Sequence, residues 1–403
     1  RSFAYGHLPL YALALLANAL ERVATLAPHL RFWPGLSEAV ARLATASGYD
    51  EIALLGRVVS ALADFGVIVM IYAMGRKLHG RAVGLLAAAF VTLTVSHIQA
   101  SHFYTFDTFA TFFIVLTAYG SLGIWRTGHR RDIVLAGVAA GMAVASKFSA
   151  LPVLAAPAVA ILARALALQE PGTEQVQDEH TQGGWRLHWQ SDRLRFALQQ
   201  GLLCLGVALA AFAITSPFAI LDYRRFVLQI AEQGAMVRGI ADLPYTRQYR
   251  NTPAYWYQIE QQLRWGMGWP LGLAAFVGFG WYVLRNLRRP RWGEMVLLAW
   301  VIPYFVINGS FMVKFMRYML PLLPFLSLMG AALLREWRER AQHIRRIGRW
   351  RWRPTWLVNG LIAIVLVGSL AYALAFVGIY ARTHTWIAAS RWIYENVPQG
   401  ATI

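Results

Sequence analysis

Ten apolar runs recur along the chain, and the connections between them sort by charge. The runs lie at about residues 52–74, 82–96, 103–125, 133–145, 150–165, 196–218, 270–284, 295–307, 318–334 and 356–380. A helix needs about 20 apolar residues to cross a bilayer, and only helices or closed barrels can satisfy their backbone there. Several runs are short for that, a mismatch that a bilayer absorbs locally. If the runs alternate in direction, one face collects Arg76, Lys77 and Arg81, then Arg126, Arg130 and Arg131, then Arg186, Arg193 and Arg195. The same face takes Arg285, Arg288, Arg289 and Arg291, and finally the basic stretch 335–353. The positive-inside rule makes that face cytoplasmic. The opposite face receives 97–102, Lys147, the long connection 219–269, the segment 314–317 and the C-terminal end. The expectation is an all-α polytopic membrane protein of about ten spans.

Composition agrees. Hydrophobic residues make up 57%, charged residues 14%, and mean hydropathy is +0.43. Soluble domains carry about a quarter charged residues. A net charge of +18 raises the question of nucleic acid, but the basic residues occupy short connections between apolar runs. That placement suits topology and anionic lipid, so no nucleic-acid partner is expected. The 16 tryptophans and 17 tyrosines suit interfacial belts. The single cysteine, Cys204, excludes a disulfide framework or thiolate metal site within the chain.

The organisation reads as three parts. Residues 1–51 are the end of a first extracytoplasmic loop, with juxtamembrane helices such as the short apolar run Leu8 to Leu20. Residues 52–380 form the membrane bundle, with a polar cytoplasmic linker at 166–195 and an outward loop at 219–269. Residues 381–403 read as the start of a further extracytoplasmic domain, and the chain as a fragment lacking both ends. Trp337, Trp350 and Trp352 among the arginines of 335–353 suggest a helix on the membrane surface.

Candidate site residues gather on the outward face. Asp107 stands where the polar turn containing His102 runs into a long apolar helix, and a carboxylate so near the hydrocarbon is by default functional; its alternative role is a helix cap. Lys147 interrupts a largely apolar stretch from 133 to 163, either to neutralise a lipid-linked phosphate or to snorkel. In the outward loop, Arg238, Asp242, Tyr245, Arg247 and Arg250 form a candidate pocket wall: arginines for phosphate, aromatics for a sugar face. Thr252 and Pro253 look like a helix start, as N-cap and first helical residue, leading into a stripe of Tyr255, Ile259 and Leu263. Lys314 and Arg317 would share a face if helical, with Tyr318 beside them, and Pro321 and Pro324 would make the helix beyond irregular. His97, His102 and Asp107 can serve a divalent metal only if their turn folds back. No phosphate-binding Walker loop, His-Glu-x-x-His or Gly-x-Ser-x-Gly motif occurs.

The runs from Leu55 to Leu62, Tyr72 to Gly80 and His97 to Phe109 resemble bacterial GT-C glycosyltransferases of the protein-mannosyltransferase-like, phospholipid-carrier-dependent kind. Phe315-Met-Arg-Tyr-Met-Leu-Pro-Leu-Leu-Pro324 is similar to that family's Arg-Tyr-x-x-Pro-type element, and 388–398 to its lead into an extracytoplasmic tail. The resemblance implies a GT-C helix bundle in the bacterial cytoplasmic membrane. It implies a hexosyl transfer, with inversion, from a dolichyl- or undecaprenyl-phosphate sugar to a hydroxyl of protein, lipid or glycan at the outer face. A first-loop acid would be the general base and is expected upstream of residue 1. Asp107 matches the second acid, which organises metal or phosphate. A divalent metal is therefore a candidate cofactor, with Asp107 as a ligand, and no nucleotide cofactor is expected. Two other readings stay open: a lipid or solute transporter, and a non-catalytic family member.

Overall fold

The computed structural model describes residues 3, 6–25, 35, 37–38, 52–167, 191–343 and 354–401. Among these residues there is no strand. Helix α1 (Leu8–Ala24) precedes α2 (Ile52–His79), α3 (Arg81–Thr92), α4 (Val95–Ser101), α5 (Phe106–Thr127), α6 (Arg130–Ser146) and α7 (Ala155–Leu166). Then come α8 (Ser191–Thr215), α9 (Pro217–Leu221), α10 (Tyr223–Arg238), α11 (Trp256–Gln261), α12 (Trp269–Arg288) and α13 (Trp292–Ser310). The last three are α14 (Leu323–His343), α15 (Pro354–Val377) and α16 (Thr385–Asn396).

Every expected span falls on helix, but among the described residues seven segments are long and apolar enough to cross a membrane alone, or eight counting the pair α3 and α4, bent by 60°. The expected ten includes α6 and α12, which fall short of that standard. Helix α6 is only 17 residues long, and its alanines and glycines serve close packing. A Cβ on Gly137 would lie 2.7 Å from the Cys204 carbonyl of α8, and one on Gly141 would overlap the Ala208 carbonyl. Helix α14 is the hub: Leu323 to Leu334 are all buried. By contrast α8 and α15 turn large apolar side chains such as Leu202, Leu209, Ile364 and Val367 outward, as lipid-facing helices do.

Breaks in these helices position the site. Helix α6 stops at Ser146, Lys147 is extended, and a 3₁₀ segment (Phe148–Leu154) leads into α7. A second 3₁₀ segment (Met316–Leu322) contains Pro321 and precedes α14. Lys314 lies before this segment in irregular backbone, so it and Arg317 do not share a helical face as expected. The helix expected from Pro253 begins only at Trp256. The hydroxyl of Thr252 is taken by the Lys314 ammonium and the Tyr249 carbonyl, and Tyr255 at φ 61° lies in the left-handed region. Tyr255 instead donates its N–H to the Gly309 carbonyl at 3.0 Å. The linker at 169–190 and the tryptophans at 350 and 352 lie outside the described residues.

Candidate active site

The centre of the candidate site is an ion pair. Asp107 sits in the first turn of α5, where the helix dipole favours a negative charge, and Lys147 reaches it from the α6 break. The Lys147 Nζ donates to Asp107 Oδ1 at 2.5 Å, with the two side chains only 12% and 6% exposed. A buried pair of this kind costs desolvation and is a weak source of stability, so its retention near the hydrocarbon favours a chemical role. The same ammonium lies 4.7 Å from the centre of the Tyr318 ring. Tyr318 is anchored in turn by its carbonyl, which accepts from the Tyr304 hydroxyl at 2.9 Å.

Two adjoining clefts open on this pair. The larger, about 880 Å³, is lined by Lys147, Arg238, Tyr245, Arg317 and Tyr318 among apolar side chains. The smaller, about 290 Å³, is lined by Ser96, Gln99, Thr105, Asp107 and Arg317. Phe315 and Arg317 belong to both, so the carboxylate faces one cleft and the ammonium the other, with a guanidinium between. An aromatic ladder forms one wall: Tyr245 stacks on Phe315 with centroids 6.5 Å apart, and Phe315 meets Tyr318 edge-on at 5.4 Å. Aromatic faces beside cations suit a sugar carried on a phosphate.

Six sequence candidates, Asp107, Lys147, Arg238, Tyr245, Arg317 and Tyr318, thus converge on the two clefts. The rest lie elsewhere. Arg247 grips Asp242 through two hydrogen bonds of 3.0 and 2.9 Å, and Arg250 adds a third at 2.8 Å. The hydrogen bond from Arg247 holds the Asp242 carboxyl below its ordinary range, and this exposed cluster is held together by its own ion pairs. His102 gives Nδ1 to the Ile98 carbonyl at 2.7 Å and stacks on Tyr380, 4.0 Å between centroids. Lys314 is buried beneath the loop, on Thr252 and Met312.

Sequence reasoning passed over Asp64. It lies midway along α2, and its Oδ1 meets His97 Nδ1 at 2.6 Å while Ser101 donates to Oδ2 at 3.0 Å. His97 is 2% exposed, and its Nε2 has no hydrogen-bond partner. The signal was a lone acid in the middle of an apolar run. The network pins α4, whose Ser96, Gln99 and Ala100 line the smaller cleft. It also settles the turn: His97 faces α2 while His102 faces Tyr380. Among the described residues no three His, Cys, Asp or Glu side chains gather as metal ligands, and one Asp107 oxygen is already committed to Lys147. These residues alone do not fit a divalent cation.

Residues 40–177 match the family model for dolichyl-phosphate-mannose-protein mannosyltransferase. No curated protein matches the chain in sequence. Among solved structures, the Archaeoglobus fulgidus oligosaccharyltransferase tethered to an acceptor peptide containing the NVT sequon aligns with a TM-score of 0.52 and 14% identity. The match covers 98% of this chain and 50% of that one. The oligosaccharyltransferase AglB of the same organism, with an inhibitory peptide and a dolichol-phosphate, aligns at 0.52 and 15% identity over 98% and 50%. The form containing Zn and sulfate aligns at 0.50 and 14% over 98% and 47%. At these identities the likeness is one of fold, the GT-C helix bundle. The chain spans about half the length of the solved structures it matches.

Proposed function

We propose that this GT-C superfamily member, protein-mannosyltransferase-like over residues 40–177, moves a sugar from a polyprenyl-phosphate carrier to a hydroxyl acceptor at the outer face of a bacterial cytoplasmic membrane. The observation that carries the reading is the buried Asp107–Lys147 pair at the mouth of a cation-lined cleft, beside an aromatic wall.

In the transfer, the acceptor hydroxyl oxygen bonds to the anomeric carbon as the bond from that carbon to the phosphate oxygen breaks. The hydroxyl proton passes to a carboxylate base, and the electron pair leaves with the phosphate, which gains one negative charge. Lys147 and Arg317 stand where that charge develops, and cations that bind the product phosphate more strongly than the substrate diester lower the barrier. Asp107 holds the Lys147 side chain in place at the cleft through their ion pair. The ladder from Tyr245 to Tyr318 offers the sugar a flat apolar face. The dolichol-phosphate bound by AglB is the kind of carrier such a cleft would accept. A divalent ion would help balance the phosphate charge; Asp107 is the sequence candidate for its ligand, and no step above depends on it.

The test uses the full gene product in proteoliposomes with a radiolabelled polyprenyl-phosphate sugar and a mixed acceptor extract. Lys147→Met and Arg317→Gln should each reduce transfer by about 10²–10³-fold, the usual effect of removing one group that stabilises developing charge. Full transfer by a folded Lys147→Met variant would sink the reading, and a chelator arm tests the metal. The Asp64–His97 contact, midway along α2, favours one rival, a transporter, since such proteins place ionisable groups deep in the bilayer. Carrier uptake without any transfer would select it.

A further inference from the structure

A third cleft, about 530 Å³, adjoins the larger one and has the same electrostatic character. The two share Arg238, Ile307 and Phe311, and no aspartate or glutamate lines either. Its own polar lining comes from Tyr249, Asn251, Thr252 and Lys314. Lys314 is 3% exposed. Its ammonium donates to Thr252 Oγ1 at 3.0 Å, to the Met312 carbonyl at 3.1 Å and to the Thr252 carbonyl at 3.4 Å, all neutral acceptors. Among the described residues neither Lys314 nor Arg238 has a carboxylate partner.

That isolation sets Lys314 apart from the other cations nearby. Asp107 pairs with Lys147, Asp242 is shared by Arg247 and Arg250, and Glu260 pairs with Arg264 at 2.7 Å. Burial without such a partner pulls the Lys314 ammonium below its ordinary value. The backbone invests in the arrangement. The N–H of Val313 donates to the Val237 carbonyl at 3.1 Å, which brings the residues before Lys314 and Arg238 together. Asn251 and Tyr255, on either side of Thr252 in the chain, both lie at φ 61°. Non-glycine residues in this region are costly and cluster at functional sites.

We infer that this cleft is a second anion subsite, in which Lys314 and Arg238 hold a phosphate or carboxylate of the acceptor while the donor's phosphate lies on Lys147 and Arg317. The acceptor is then an anionic molecule. The inference rests on the transferase reading, but its test separates the two. Lys314 also has a purely structural alternative, pinning the loop through Thr252.

The experiment is calorimetric titration of inorganic phosphate at pH 7 into the full-length protein in nanodiscs of neutral phosphatidylcholine. The wild type should show two binding events. Arg317→Gln should weaken one at least tenfold, Lys314→Gln the other, and Arg238→Gln both, since Arg238 lines both clefts. Lys314→Arg should restore the second event, and Thr252→Ala, which removes a loop hydrogen bond but no charge, should keep it. Two intact events in Lys314→Gln, or a loss in Thr252→Ala equal to that in Lys314→Gln, overturns the subsite. An Arg317→Gln variant that keeps both events counts against the donor site and leaves the second subsite standing. Displacement of the Lys314-dependent phosphate by adding phosphatidylglycerol to the nanodiscs would make the occupant a bilayer headgroup and overturn the acceptor assignment.

Discussion

At the scale of single residues, the Asp107–Lys147 pair allows stability and chemistry to be separated. Removing one partner of a buried pair strands the other charge and costs about 3–5 kcal/mol, whereas replacing both with apolar residues is often close to neutral. Asp107→Leu and Lys147→Met should therefore each lower the thermal stability of the detergent-solubilised protein by about that amount. The double variant should recover most of the loss and yet remain without transfer activity. Losses that simply add would mean the pair is not coupled, and the geometry would be wrong. Each residue was visible in the sequence as a charge at the end of an apolar run; their pairing was not, because 40 positions separate them. Lys314 and Arg317 show the reverse. Their spacing of three suggested a common face, but proline at 321 tightens the backbone into a 3₁₀ segment and leaves Lys314 outside it, in a different cleft. Asp64 was legible and passed over, since its partner His97 lies on another helix and the run around it reads as an ordinary span.

At the scale of elements, the sequence marks breaks better than beginnings. Lys147 and the prolines after Arg317 predicted interruptions that the backbone shows. The Thr252–Pro253 start failed because local capping chemistry lost to a tertiary contact: the lysine and the Tyr249 carbonyl occupy the hydroxyl that should have capped the helix. Close helix packing was equally hidden, though its agents are glycines. Gly141 of α6 faces the Ala208 carbonyl of α8, main chain that cannot yield cheaply, while Gly201 of α8 faces open space. Gly141→Ala should cost about 1–3 kcal/mol as overpacking and raise hydrogen exchange in both helices. Gly201→Ala should be neutral or stabilising by about 0.5–1 kcal/mol, through the lower entropy of alanine in a helix. Equal effects at the two positions would mean that α6 and α8 are not in contact as described.

At the scale of the whole molecule, the pattern of charge in the connections does more than count spans, because it predicts which compartment the clefts face. Ten runs were expected; among the described residues each falls on helix, and seven or eight segments are long and apolar enough to cross a membrane. Arg285, bonded to both Glu294 and Glu336, marks the end of the bundle that the positive-inside rule would make cytoplasmic, while two of the clefts lie beside Ile307 near the far end of α13. If the clefts face outward, as proposed, they have no access to cytoplasmic nucleotide sugars, and a lipid-borne donor fits them. The orientation can be measured directly. Cys204 is the single cysteine, so Cys204→Ser provides a background without thiols. Gln248→Cys in the outward loop and Arg289→Cys after α12 both place a thiol at an exposed position. An impermeant maleimide applied to intact spheroplasts should label Gln248→Cys at once, and Arg289→Cys only after permeabilisation, as the positive-inside rule requires. The opposite pattern would turn the clefts towards the cytoplasm, expose them to soluble donors, and remove the physical reason for a polyprenyl carrier.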